Sequence, residues 1–264
     1  MYDFQYERAT SVEDAVAKLK AADDGLLMAG GMTLIPTLKQ RLAQPSTVID
    51  LSGIADLSGI AVAGDRVTIG AMTTHDAVAR SADLKRALPV LPEMASVIGD
   101  PAVRNRGTIG GSICNADPAA DYPAAVVALG ATIHTSKRTI AGDDFFTGMF
   151  ETAREPDELV LKVEFQVPQK AAYQKFRNPA SRYAVVGVLV AKTAGGVRVA
   201  VTGAGPRVFR VPEMEEALSA NFAASAIADV TVPADGLNSD IHASAAYRAH
   251  LVGVMARRAV EACG

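Results

Sequence analysis

The chain has 264 residues, 49% of them hydrophobic and 21% charged, and a net charge of -3 at pH 7. That length suits one large domain or two to three small ones with a substantial core, and the mild acidity excludes nucleic-acid or polyanion binding as the main activity. No apolar run approaches the roughly 20 residues of a membrane span. The N-terminal Met1-Tyr2-Asp3-Phe4 lacks a signal-peptide pattern, so the expected location is the cytoplasm. Cys114 and Cys263 are too few for a four-thiolate iron–sulfur cluster, and a disulfide between them is not expected in the cytosol.

Thr10 or Ser11 can cap a first helix in which Val12, Ala15, Val16 and Leu19 form an apolar stripe. Leu26-Leu27-Met28 follows as a short buried strand. It runs into Ala29-Gly30-Gly31-Met32-Thr33 and a helix with Leu34, Leu38 and Leu42 at helical spacing. Strand, glycine pair and helix form an arrangement that points free amides at an anion, and equally an ordinary strand-to-helix turn. Val48–Leu51 and Val67–Gly70 read as strands. Thr73-Thr74-His75-Asp76 reads as the cap of a helix through Arg80, with His75 a capping or packing residue. His134, His242 and His250 show no ligand spacing with it, which argues against a metal site. Leu84 to Ile98 reads as one helix.

From Gly99 to Pro123, glycine, proline and small polar residues are denser than anywhere else, and the stretch reads as a long structured loop. Gly110-Gly111 would let a ligand approach the main chain, and free amides beside glycine make an anion cradle. The stretch is therefore a candidate phosphate- or pyrophosphate-holding loop, with a tight structural turn as the alternative. A helix over Tyr122–Leu129, a strand over Ala131–His134 and a turn with two aromatics over Asp143–Gly148 follow.

Beyond a strand over Leu159–Val167 the pattern changes. Ala172–Phe176, Ala184–Ala191 and Val197–Thr202 read as strands, with Gly195-Gly196 as a hairpin turn, and Val211–Phe222 and Ala243–Ala262 as helices. Antiparallel strands followed by helices give an α+β arrangement, with a domain boundary near residue 168.

Five segments carry a family resemblance, in order: Ala29-Gly30-Gly31-Met32-Thr33-Leu34-Ile35-Pro36, Thr108-Ile109-Gly110-Gly111-Ser112, Asp117 to Pro123, Lys175 to Val186, and Thr202-Gly203-Ala204-Gly205-Pro206. Together they resemble the FAD-binding medium subunit of molybdenum hydroxylases, the family of the aerobic carbon monoxide dehydrogenase medium subunit and the xanthine dehydrogenase flavin domain. The resemblance implies an α+β fold with a two-part N-terminal α/β FAD-binding domain over residues 1–168, a vanillyl-oxidase-like FAD sandwich with subdomains of about 1–54 and 55–168. A smaller C-terminal α+β domain with antiparallel sheet and helices would cover 169–264.

By the same resemblance, Ala29, Gly30, Gly31, Met32, Thr33 and Leu34, with Thr108, Gly110, Gly111 and Ser112, would hold the FAD pyrophosphate. Asn115 and Asp121 would bond the ribityl and ribose hydroxyls, and Ile98 would lie near the adenine. Tyr183 would stand beside the isoalloxazine ring, with core packing as its alternative, and Lys175 would place a charge near the flavin. Met32 stands where Gln or His is commoner in the family, Thr33 where Ser is usual and Ser112 where Asn is usual. Met32 cannot donate from its side chain, so a contact there would come from its amide.

The chain itself would carry no catalytic and no metal-binding residue. A small subunit with [2Fe-2S] clusters and a large subunit with the molybdenum cofactor would be its partners, in a dimer of heterotrimers. Electrons would leave through this FAD to an external electron acceptor such as a quinone, oxygen or NAD. The competing readings are a self-contained FAD-dependent oxidoreductase acting on a small molecule, which needs an acid or base facing the flavin, and a scaffold subunit that has lost its cofactor.

Overall fold

In the computed structural model, residues 1–263 are described. The chain opens with a small parallel sheet in the order Gln5–Arg8, Thr47–Asp50, Gly25–Met28. The helix Val12–Ala21 connects its outer strands and is capped by the Ser11 hydroxyl, which accepts from the Asp14 amide. The middle strand is buried throughout, while Gly25–Met28 is only half-buried.

A second sheet is antiparallel, in the order Ile60–Ala63, Arg66–Gly70, Val160–Gln166, Thr132–Thr135, Thr139–Ala141. A third contains Lys170–Arg177, Ala184–Thr193, Gly196–Thr202 and Phe209–Arg210. The Gly195-Gly196 hairpin is present, with Thr193 paired to Gly196. The result is the expected α+β class.

Ala184–Thr193 is buried at its first eight positions because it is covered on both faces. The 18-residue helix Ala245–Ala262, capped by Ser244, packs on one side, and the wholly buried helix Tyr122–Ala128 packs against the sheet from the first half of the chain. Leu189, Ala191, Ala200 and Val208 thus share one core with Ile109, Ile113, Tyr122 and Phe165. The Arg198 guanidinium adds two hydrogen bonds to the Val127 carbonyl, at 3.0 and 2.7 Å.

Four sequence expectations are corrected. The 99–123 stretch is not a long loop: it contains the helices Pro101–Arg104 and Ile109–Asn115 and the start of Tyr122–Ala128. Asp100 caps the first of these with Pro101 just inside it, and Thr108 caps the second. Leu84–Ile98 is two helices, Ala82–Ala87 and Val90–Ser96, because Leu88-Pro89 interrupts the hydrogen-bond ladder. The helix Leu34–Lys39 stops short of Leu42, which is 73% exposed, because Arg41 turns left-handed at φ 60. The aromatic "turn" at 143–148 is the short helix Gly142–Phe145 running into the strand Phe146–Gly148, with Phe145 and Phe146 buried edge-to-face at 5.1 Å.

Candidate functional site

The two glycine pairs, 80 positions apart in sequence, meet in space. A Cβ on Gly30 would lie 1.9 Å from the Arg106 carbonyl oxygen, and one on Gly111 would lie 3.3 Å from the Ala29 Cβ and 3.0 Å from the Thr108 hydroxyl oxygen. A Cβ on Gly110 would strike Ala71 at 2.6 Å. These glycines let main chain approach main chain. The space beside Gly110, expected from the sequence to admit a ligand, is filled by Ala71.

The amides divide between the two segments in the same uneven way. In the 108–112 segment they are already engaged. Ile109 donates to Thr73 O, Gly110 to Ala71 O at 2.9 Å, Gly111 to Thr108 Oγ1 at 3.0 Å, and Ser112 to Thr108 O. The segment therefore offers no run of free amides. In the 29–34 segment the opposite holds: among the described residues, the amides of 30 to 34 donate no hydrogen bond to the protein. Gly31 takes φ 73 there, a left-handed turn suited to glycine. Met32 and Thr33 are exposed, and Thr33 makes no side-chain cap. An open row of amides on a left-handed glycine turn is an anion cradle. It fits a pyrophosphate, with the 108–112 segment as the buttress that holds it.

Ser112 and Asn115 lie on the helix Ile109–Asn115, and their half-buried side chains form no hydrogen bond among the described residues. Ile98 is half-buried against the main core. The carbonyls around it draw three cationic side chains: Lys175 Nζ to Val97 O at 3.4 Å, Arg104 to Ile98 O at 3.0 Å, and Arg182 to Gly99 O at 3.1 Å.

Asp121 and Lys175 come together as a buried ion pair at 2.9 Å, with their side chains only 5–6% exposed. The Tyr173 hydroxyl donates to the other Asp121 oxygen at 2.5 Å. Both carboxylate oxygens thus have partners, and Asp121 makes no cap to the helix it precedes. Burial pushes the Asp121 carboxyl up, while the Lys175 ammonium and Tyr173 hydroxyl oppose that shift. Burial, with the Asp121 charge, holds Tyr173 well above its ordinary value, so it stays the donor. Gly187 leaves room for this hydroxyl, since a Cβ there would lie 2.2 Å from it.

The sequence reading missed Tyr173. It shares a strand face with Lys175, two residues on, so the period of two carried a signal for it. Tyr183 is 47% exposed, and burial, followed by the charges of Asp117 and Asp121, raises its hydroxyl.

His75 is buried under the Gly107 main chain and packs its ring 5.4 Å from that of Tyr122. It acts as the packing residue expected, although among the described residues its Nδ1 and the Tyr122 hydroxyl both lack a partner. Among the described residues, no group of three or more His, Cys, Asp or Glu is arranged to hold a metal, and no helix is long and apolar enough to cross a membrane.

Comparison with known proteins bears on this geometry. Residues 2–170 match the family described as FAD binding domain in molybdopterin dehydrogenase, and residues 171–263 the CO dehydrogenase flavoprotein C-terminal domain. The chain is 38% identical to the carbon monoxide dehydrogenase medium chain of Afipia carboxidovorans over 98% of this chain and 96% of that one. It is 34% identical to the nicotine 6-hydroxylase medium subunit of Paenarthrobacter nicotinovorans, over 98% and 97%. Among solved structures, reconstituted CO dehydrogenase from Oligotropha carboxidovorans superposes with a TM-score of 0.90 at 35% identity, covering 99% of this chain and 98% of that one. Quinoline 2-oxidoreductase from Pseudomonas putida 86 gives 0.89 at 27% identity, covering 99% and 97%. The open amide cradle, the two-part fold and full-length matches of this kind lead to one conclusion: the chain belongs to the family of FAD-binding flavoprotein subunits of molybdopterin-dependent dehydrogenases.

Proposed function

We propose that this chain is the electron-exit subunit of a molybdenum hydroxylase complex. The single observation that carries the reading is the row of open amides at 30–34, buttressed by the second glycine segment. Bound there, FAD supplies the chemistry of accepting electrons singly and releasing them in pairs.

The chain's residues would bind and orient it. Gly30, Gly31, Met32, Thr33 and Leu34 offer amides to the pyrophosphate, and Ala29 closes the contact with Gly111. Thr108, Gly110 and Gly111 hold the buttress, while Ser112 and Asn115 present unspent polar side chains to the pyrophosphate and ribityl chain. Ile98 would give the adenine an apolar neighbour, and Tyr183 would stand beside the isoalloxazine ring. Asp121 would offer what capacity its oxygens retain to the flavin hydroxyls, and it holds Lys175 in a buried ion pair, whose charge would lie near the flavin.

In this reading the partners are a small [2Fe-2S] subunit and a large molybdenum-cofactor subunit, in a dimer of heterotrimers located in the cytoplasm. Electrons enter from the iron–sulfur clusters and leave to an external acceptor. A division at 168/169 is supported by the end of the second sheet at Gln166 and the start of the third at Lys170. The test is to express the chain alone and with its genomic neighbours. Flavin bands in the lone chain, with iron–sulfur bands and substrate oxidation only in a larger co-purified assembly, support the reading. A lone yellow chain that oxidises substrate sinks it in favour of a self-contained oxidoreductase.

A further inference from the structure

Arg104 and Arg182 converge on one main-chain oxygen. Arg104 Nη1 donates to Ile98 O at 3.0 Å and to Gly99 O at 3.3 Å, and Arg182 Nη1 donates to the same Gly99 O at 3.1 Å. Two guanidinium groups therefore flank a single carbonyl. Arg104 ends the short helix Pro101–Arg104 in the N-terminal domain. Arg182 stands in the turn between Lys170–Arg177 and Ala184–Thr193 in the C-terminal domain. The pair bridges the seam between the two domains.

The turn that presents Arg182 is held rigidly. Buried Asn178 accepts the Ala180 and Ser181 amides on its Oδ1, its own amide donates to Tyr183 O, and the Arg182 amide donates to Asn178 O at 2.9 Å. Arg182 takes φ 63. A non-glycine residue keeps that left-handed conformation only where its surroundings impose it, and such positions gather at binding sites. On the other side Gly99 takes φ 50, and a Cβ there would lie 2.9 Å from Val103 Cβ. Both the receiving carbonyl and the arginine that reaches it are thus fixed in place.

Among the described residues, neither of these arginines meets a carboxylate within ion-pair distance. Arg138, Arg198, Arg210 and Arg248 each do. Lys175 approaches the neighbouring Val97 O, but its charge is matched by Asp121. Asp100, next in the chain after Gly99, turns Oδ1 to the Val103 amide as a helix cap. Arg182 is exposed and Arg104 half-buried, and the Nε and Nη2 groups of both reach solvent without a protein partner among the described residues. Two adjacent cations thus keep unspent donors and have no matching anion.

We propose that Arg104 and Arg182 together bind a phosphate-type oxyanion at this seam. A guanidinium fork matches two oxygens of a phosphate. One carboxylate satisfies one fork, whereas a tetrahedral anion offers oxygens to both at once. The charge of a phosphate monoester, about −1.5 to −2 near pH 7, matches two unpaired cations. The chain's net charge of -3 suits a small anion held at one point rather than a polyanion spread over a surface. The site stands apart from the amide row at 30–34, so it is open to a second anion when that row is filled. Occupancy ties the turn at 178–183, and with it Tyr183, to the N-terminal domain.

The test is calorimetric titration of the full chain with inorganic phosphate, with and without FAD, at an ionic strength held constant with chloride. One saturable site is expected in both states. Arg182→Gln should weaken it at least about tenfold, and Arg104→Gln, on the other domain, should match it. Arg182→Lys should lose less, since lysine keeps the charge without the fork. Phosphate also stabilises folded proteins through exclusion from their surface, so the specific rise in Tm is the difference between wild type and Arg182→Gln. AMP that displaces phosphate with the same dependence on Arg182 supports the site as one for a nucleotide's phosphate. Saturation by phosphate with no effect of AMP supports it as one for the free anion. Absence of saturable binding, or binding unchanged in Arg182→Gln, would overturn the proposal. Loss of the phosphate site on adding FAD would also overturn it, because the arginines would then serve the cofactor's own pyrophosphate. A chain that takes up no FAD defeats the flavin reading alone, and the phosphate titration of that chain still decides the anion site.

Discussion

The Gly30 Cα and the Arg106 carbonyl are so close that a Cβ on Gly30 would lie 1.9 Å from that oxygen. This contact joins the open amide row to its buttress. Gly30→Ala must therefore move one backbone segment, and overpacking of that kind costs about 1–3 kcal/mol. We expect the variant to fold with a lower Tm and to retain FAD at least about tenfold less tightly, the equivalent of 1.4 kcal/mol. Gly111→Ala meets only a hydroxyl at 3.0 Å and a methyl at 3.3 Å, so its loss should be smaller. Fluorescence titration of FAD into both variants checks the order, and equal retention by Gly30→Ala and wild type would count against the buttress.

The Asp121–Lys175 pair predicts a non-additive cycle. Removing one partner leaves the other charge buried, which costs about 3–5 kcal/mol, whereas replacing both costs far less. Lys175→Met alone should thus be more damaging than Lys175→Met combined with Asp121→Asn. Gly187→Ala, which pushes on the Tyr173 hydroxyl, should destabilise through the same cluster. Urea denaturation of the wild type, Lys175→Met, Asp121→Asn and the double variant measures the coupling, and additive losses would refute it.

His75 predicts an acid-sensitive window. Burial, assisted by Arg104, lowers its pKa to about 4 from the ordinary 6.5. The unfolded chain binds a proton there that the folded chain refuses, so the stability is complete above pH 6.5 and falls as pH drops toward 4. The loss is about 3 kcal/mol at 1.36 kcal/mol per pH unit. His75→Phe should flatten Tm against pH in that interval; an unchanged slope would show that other groups carry it.

Glu158 adds a second, more acidic window. Burial alone would raise its carboxyl, but the Arg138 guanidinium, the Thr135 hydroxyl and the Glu155 amide outweigh it and bring the pKa to about 2. Its contribution is present above about pH 4.5 and is lost as pH falls toward 2. Glu158→Gln should lower Tm at pH 7 and have little further effect at pH 2, as read by calorimetry across that range.

The parts of the fold set by local chemistry were legible in the sequence. Ser11 and Thr74 cap the helices they were expected to cap, and the Gly195-Gly196 hairpin stands where its turn residues put it. What escaped depended on distant partners. Gly110 reads as a loop residue, yet it sits inside the helix Ile109–Asn115, and it must be glycine there because Ala71, far back in the chain, fills the space of a Cβ. The partners of the Asp121 carboxylate, Tyr173 and Lys175, lie over fifty positions away. The residues of the amide row stand together as one segment in the sequence. That it stays open while its counterpart at 108–112 is closed is decided by hydrogen bonds to Thr73 and Ala71 that the sequence does not display.

The most direct measurement is the flavin-to-protein ratio of the purified chain after incubation with FAD and removal of the excess. The expected result is a yellow protein with about one flavin per chain, a stoichiometry that falls in Gly30→Ala. A colourless wild-type chain that retains no FAD would contradict it.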